Sequence, residues 1–223
     1  MHRPVKSLDY ARTVKQGYQL PLLRHLNVDR YLNRPAGALI TKAVYRTGVT
    51  PNQLTYFSFA LLIVAAALIC VDDRRYVLAG AVVQLVAAFF DSADGMLARA
   101  KGLSSRFGGT LDLVLDRIGD AFLYGSTVAA YYHATGDARL AIAGLVGLAM
   151  FNLQVTLYYL VEQYRKADRT GMSGETRALM SWLIVACVLA GRLEILMWLM
   201  IIEPVANIAY RVWYFHHLPK AAA

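Results

Sequence analysis

Charge is scarce in this sequence. Of 223 residues only 17% are Asp, Glu, Lys or Arg, while 57% are hydrophobic. Soluble domains carry about 25% charged residues, so an ordinary soluble fold is excluded. Cysteine is almost missing as well. Cys70 and Cys187 both fall in apolar runs, which predicts buried, reduced thiols rather than a disulfide or a metal pair. The first 20 residues, MHRPVKSLDYARTVKQGYQL, lack an apolar core, so no cleavable signal peptide is expected there. Internal repeats and low-complexity linkers are also lacking, which implies one domain.

Long apolar segments take the place of these features. A hydrocarbon span needs about 20 apolar residues, and six segments qualify, roughly 53–71, 76–99, 108–132, 140–162, 176–191 and 194–214. Ahead of them, residues 1–50 carry nine Lys/Arg against two acids, and LPLLRHLNVDRYLNRPAGALITKAVYR mixes apolar and basic residues as an interfacial helix does. The expectation is an all-α polytopic membrane protein with six transmembrane helices and an N-terminal interfacial amphipathic helix. Its parts are a cytoplasmic segment 1–50, a membrane domain 51–215 and a tail 216–223.

The surplus of cations is unevenly placed. One side of such a bundle holds the nine N-terminal cations with Arg99, Lys101, Arg106, Arg165, Lys166, Arg169, Arg177, Arg211 and Lys220. The other side holds only Arg74, Arg75, Arg139 and Arg192. The positive-inside rule puts both termini in the cytoplasm, with the protein in the inner membrane. Most of the net charge of +8 is then a topology and anionic-lipid signal, and no nucleic-acid partner is expected. Tyr158, Tyr159, Trp198 and Trp213 read as interfacial or lipid-facing aromatics.

Against this apolar background, DSADGMLARAKGLSSRFGGTLDLVLDRIGD places five carboxylates between residues 91 and 120. Asp91 and Asp94 are three apart, Asp112 and Asp116 four apart, so each pair shares a helix face. The intervening AKGLSSRF is short, which predicts antiparallel neighbours and four carboxylates converging on one cavity open to the cytoplasm. Like charges that close cannot all stay ionised without a cation. Three accounts meet this condition. The acids pair with Arg99, Arg106 and Arg117 at a membrane edge; they line a proton or cation path; or they hold divalent metal for a phosphate-bearing substrate. Gly95, Ala98, Gly108 and Gly109 leave room for a ligand beside the acids, and Arg99 supplies a fork that fits phosphate. These residues favour the metal account.

The pattern Asp91-x2-Asp94-Gly95-x2-Ala98-Arg99-x8-Gly108-x3-Asp112-x3-Asp116 resembles, at all eight specified positions, the signature of the CDP-alcohol phosphatidyltransferase family. Pro51-Asn52-Gln53-Leu54-Thr55 is similar to a Pro-Asn entry common in that family. The resemblance covers most of residues 34–135. It implies a membrane transferase of phospholipid or phosphodiester biosynthesis. Such an enzyme moves a substituted phosphate from a CDP-linked lipid or CDP-alcohol donor to a small polar acceptor alcohol and releases CMP. It further implies two Mg²⁺ or Mn²⁺ ions on Asp91, Asp94, Asp112 and Asp116, with Asp116 also the general base. Gly95, Ala98, Arg99 and Gly108, with Asn52 and Thr55, would form the CDP site, and the family resemblance points to a homodimer in membrane lipid. Residues 31–55 and Leu115-Asp116-Arg117 with Asp120 resemble inositol-phosphate-using members such as the di-myo-inositol-phosphate-phosphate synthases.

An acceptor that bears its own phosphate, inositol phosphate or glycerol phosphate, needs a cation beside the acids. Arg177 at the start of the fifth span is the candidate. Arg117 is read as a structural partner of Asp120, and Glu203 as either facing the cavity or pairing locally. An intramembrane prenyltransferase using an isoprenyl diphosphate and an acid-rich cation or proton transporter are the alternative readings.

Overall fold

The computed structural model describes residues 28–164 and 172–216, with side chains at 28–157, 177–210, 212 and 213. The N-terminal 27 residues, the cations Arg165, Lys166 and Arg169, the tail from 217, and the side chains of Tyr158, Tyr159 and Arg211 lie outside the described residues. Every described element is helical. A π-helical turn, Asp29–Asn33, runs into α1 (Arg34–Val44), followed by α2 (Pro51–Ile69), α3 (Arg74–Lys101), α4 (Arg106–Thr135), α5 (Ala138–Tyr164), α6 (Met172–Ala190) and α7 (Leu193–His216).

Local sequence sets the helix ends. Thr50 and Gln53 form a reciprocal capping box at the start of α2, with Pro51 in the first turn where no amide proton is needed. Ser105 caps α4 by accepting from the Gly108 amide at 3.0 Å. Gly102 closes α3 at φ 68°, a left-handed conformation that glycine adopts without cost.

Four of these helices, α2, α3, α5 and α7, contain stretches long and apolar enough to cross a membrane by length and composition. Among the described residues these four meet that measure, and the count of six stays an expectation. α4 carries Asp112, Asp116, Arg117 and Asp120 within its length, and the described apolar part of α6, Arg177–Ala190, is shorter than a full span. Cys187 is buried as expected. Cys70 is exposed, because it sits at the C-terminal end of α2 rather than within the bundle.

Packing departs from chain order in one respect that matters. α3 and α4 are joined by a short loop, yet each packs closely on α2 rather than on the other. α2 thus bridges α3 and α4, and three of the expected acids meet across the space between those two helices. α5 packs on α7, and α6 on α3. Small residues allow the close approaches: a Cβ on Gly80 would meet the Ala65 carbonyl oxygen at 2.7 Å, and one on Gly147 would meet the Met200 backbone.

The N-terminal helix is fixed to this bundle by polar contacts. Thr41 Oγ1 lies 3.2 Å from the Ala93 carbonyl on α3, and Trp182 Nε1 on α6 donates to Asn33 Oδ1 at 3.0 Å. Lys101 Nζ donates to the carbonyls of Thr47 and Val49, tying the α1–α2 connection to the end of α3. Its opposite face leaves Tyr31 and Leu39 exposed. Trp198 and Trp213 are exposed too, as expected of lipid-facing aromatics.

Candidate active site

Asp91 on α3 and Asp112 and Asp116 on α4 bring one carboxylate oxygen each within 4.8 Å of one another. Three hard oxygen donors at that spacing suit a divalent cation. Asp94 stands apart from this trio. It is buried, and its Oδ2 accepts a 2.6 Å hydrogen bond from Thr55 Oγ1 on α2. Thr55→Val removes the donor and leaves a buried carboxylate oxygen unmatched, at a cost of about 1–3 kcal/mol. Thr55→Ser keeps the hydroxyl and is expected to melt close to the parent in detergent. Equal melting of the Val and parent proteins would show that this bond does not stabilise the fold.

The acids divide between two hollows. One, of about 230 Å³, is lined by Asp94 and Asp112 together with Asn52, Thr55, Gly95, Ala98, Arg99 and Gly108. All the residues expected of a nucleotide site therefore meet around one cleft. A Cβ on Gly108 would come 3.2 Å from Asn52 Oδ1, so a larger residue there would crowd the wall. The second hollow, about 30 Å³, lies deeper and is lined by Asp91, Asp116, Asp120 and Arg177 with residues of α2 and α3.

Arg177 turns inward as its position on α6 allows. Its Nη1 lies 2.6 Å from Asp116 Oδ2 and 3.5 Å from Asp91 Oδ2, while its Nε donates to Asp120 Oδ1 at 2.9 Å. Asp120, only 2% exposed, is also paired with Arg117 Nη2 at 2.8 Å. Arg117 also rests over the Phe151 ring, 5.9 Å from its centroid. Three arginines, Arg99, Arg117 and Arg177, thus stand against five carboxylates, Asp91, Asp94, Asp112, Asp116 and Asp120. The excess of negative charge in a low-dielectric gap is the condition that divalent cations satisfy.

Glu203 does not face this site. It is buried between α5 and α7, accepting from Gln154 Nε2 at 3.2 Å and from Asn207 Nδ2. Sequence reasoning overlooked Gln84, which is 1% exposed and lines the deeper hollow. The available signal was its place two turns before Asp91, a polar residue on the acid face of an apolar helix.

A helical membrane bundle whose acids and arginines are gathered in a gap between helices, with a cleft on either side, defines an intramembrane centre for a charged ligand. The CDP-alcohol phosphatidyltransferase family model matches residues 48–209, and the chain belongs to that family. It is accordingly an integral membrane protein. It is similar to the archaetidylinositol phosphate synthase of Pyrococcus horikoshii, 43% identical over 82 residues, covering 37% of this chain and 42% of that protein. A phosphatidylinositol phosphate synthase of Mycobacteroides abscessus is 33% identical over 131 residues, 57% of this chain and 58% of its own. The chain spans about half the length of the curated relatives it matches. Among solved structures, the Mycobacterium tuberculosis phosphatidylinositol phosphate synthase with CDP-DAG bound superposes with a TM-score of 0.67 at 22% identity. That superposition covers 84% of this chain and 96% of the other. A second structure of that enzyme is in complex with manganese and citrate. At this identity the likeness establishes the fold.

Proposed function

We propose that the protein transfers a substituted phosphate group from a CDP-linked lipid donor to the hydroxyl of a phosphorylated acceptor alcohol, with release of CMP. The observation that carries this reading is the division of one carboxylate cluster between two hollows. Asp94 and Asp112 face the cleft with Asn52, Gly95, Ala98, Arg99 and Gly108, while Asp91 and Asp116 face the one with Arg177. A two-substrate displacement needs that arrangement: one site for the donor, one for the acceptor, and the charge-handling groups between them.

The donor's cytidine diphosphate would occupy the larger cleft, with Arg99 as the bidentate partner of a phosphate. Asp91, Asp94, Asp112 and Asp116 would hold two Mg²⁺ or Mn²⁺ ions, and their oxygen donors and uncompensated charge fit such ions. When bound, these ions offset the diphosphate charge and stabilise departing CMP. Arg177, on the wall of the smaller hollow, would bind the acceptor's own phosphate. The acceptor hydroxyl attacks the phosphorus next to the lipid, the bond from that phosphorus to the CMP oxygen breaks, and the hydroxyl proton passes to Asp116. The names of the relatives favour inositol phosphate as acceptor and a CDP-diacylglycerol-type donor. The excess of Lys and Arg at the end of the bundle bearing Lys101 and Arg106 supports a cytoplasmic opening, with both termini on that side.

Purified protein in detergent, given CDP-diacylglycerol, Mg²⁺ or Mn²⁺ and a panel of alcohols, should release CMP only when a phosphorylated alcohol is present. CMP release with no acceptor, or best with an uncharged alcohol, overturns the reading. Asp116→Asn separates proton transfer from binding. Its kcat should fall by at least ~10²-fold, the span of general-base loss, while donor affinity by calorimetry stays near the parent's. A matching collapse of donor binding would make Asp116 chiefly a metal ligand.

A further inference from the structure

Gln84 is the one buried amide on the wall of the smaller hollow, and its orientation is fixed by a neighbour. Its Nε2 donates to the Ser181 carbonyl on α6 at 2.6 Å. A carbonyl has no proton to give, so the NH2 must face Ser181 and the amide has only its oxygen left to offer. That oxygen, Oε1, is buried and has no donor among the described residues. Ser58 spends its hydroxyl proton on the Thr55 carbonyl at 2.9 Å, and the Arg177 Nε and Nη1 atoms face Asp120, Asp116 and Asp91. A buried amide oxygen without a partner is destabilising, so the site calls for a hydrogen-bond donor, which a hydroxyl supplies. The hollow of about 30 Å³ has room for one water-sized oxygen.

Its place along the chain ties it to the reaction. Gln84 lies seven residues before Asp91, two turns deeper on the same face of α3. Ser181, which orients it, lies one turn beyond Arg177 on α6. An acceptor anchored by its phosphate at Arg177 would therefore meet the Gln84 carbonyl farther along the same wall.

We propose that Gln84 is a specificity-determining residue of the acceptor site: its carbonyl oxygen receives a second hydroxyl of a phosphorylated polyol, one that does not react. This rests on the phosphorylated-acceptor reading above and narrows the acceptor to alcohols with a hydroxyl beyond the attacking one. The same O–H chemistry can come from an ordered water, and the experiment separates the two sources.

CMP release is measured for the parent and for Gln84→Met with inositol phosphate and each of its singly deoxygenated analogues, glycerol phosphate serving as the small control. One analogue should lose tenfold or more in kcat/KM with the parent, and that penalty should vanish in Gln84→Met, while donor KM is the same in both. Should the variant fail to fold, the analogue series on the parent decides. A parent indifferent to every deoxygenation, or a penalty that persists in Gln84→Met, assigns the hollow to an ordered water and overturns the subsite alone. Absence of CMP release with any phosphorylated alcohol overturns the acceptor reading, and the subsite with it.

Discussion

Asp91→Ala and Asp112→Ala are each expected to lower CMP release by 10³-fold or more, while the protein still inserts in the membrane and elutes as the parent does. The carboxylates of Asp91, Asp112 and Asp116 converge within 4.8 Å from two different helices, α3 and α4. No single neighbour can replace the lost oxygen, and the ions that offset the donor's diphosphate would be held by too few ligands. A stabilising electrostatic interaction of this kind is worth several kcal/mol in the transition state, and about 1.4 kcal/mol is a factor of ten in rate. Chelation of the parent should give the same loss, and Mn²⁺ or Mg²⁺ should reverse it. Full turnover in chelator, or in either variant, removes the metal assignment.

Arg177→Ala should destabilise the chelated protein by about 3–5 kcal/mol, the usual cost of stranding buried partners of opposite charge. One guanidinium contacts Asp91, Asp116 and Asp120, and Asp120 is almost fully buried. At roughly 2–4 °C per kcal/mol for a chain of this size, the drop in Tm is easily read in detergent. Divalent metal should recover part of it by offsetting Asp91 and Asp116. Asp120 retains Arg117 alone. Arg177→Lys should lie between, because an ammonium supplies charge without the planar fork that reaches three acids. In assays at saturating donor, Arg177→Ala should raise the acceptor KM and leave the donor KM nearly unchanged. A variant with parental Tm in chelator and parental acceptor kinetics would deny Arg177 both roles.

The acids were legible because intramembrane charge is costly and their spacings of three and four fall on one helix face. The glycines, Ala98 and Arg99 could be read with them for the same reason, since their positions follow from helix periodicity. The short loop between α3 and α4 was enough to expect their acids to meet, as three of them do, but it carried no signal that α2 packs on both helices. Thr55 was assigned to the nucleotide and lines that cleft, but the bond from its hydroxyl to Asp94, 39 residues away, had no signal in the sequence. Asp120 was seen only with Arg117, because Arg177 is 57 residues distant and no periodicity links α4 to α6. The count of six spans includes α4 and α6, and the acids of α4 and the short described part of α6 keep both below the apolar measure that the other four meet. The three readings left open for the acids were separated by the family match, not by the acids themselves.

Ser105 caps α4 through the Gly108 amide, so the helix starts at a fixed residue. Asp112 and Asp116 follow seven and eleven positions later, about two and three turns on. One residue added between Ser105 and Asp112 would turn both acids by about 100° around the axis of α4, away from Asp91. The count of residues in this part of the motif therefore specifies an angle more than a distance. Loop length may drift where it only spans a gap, but a helix that begins at a cap behaves as a dial, and its acids work at one setting.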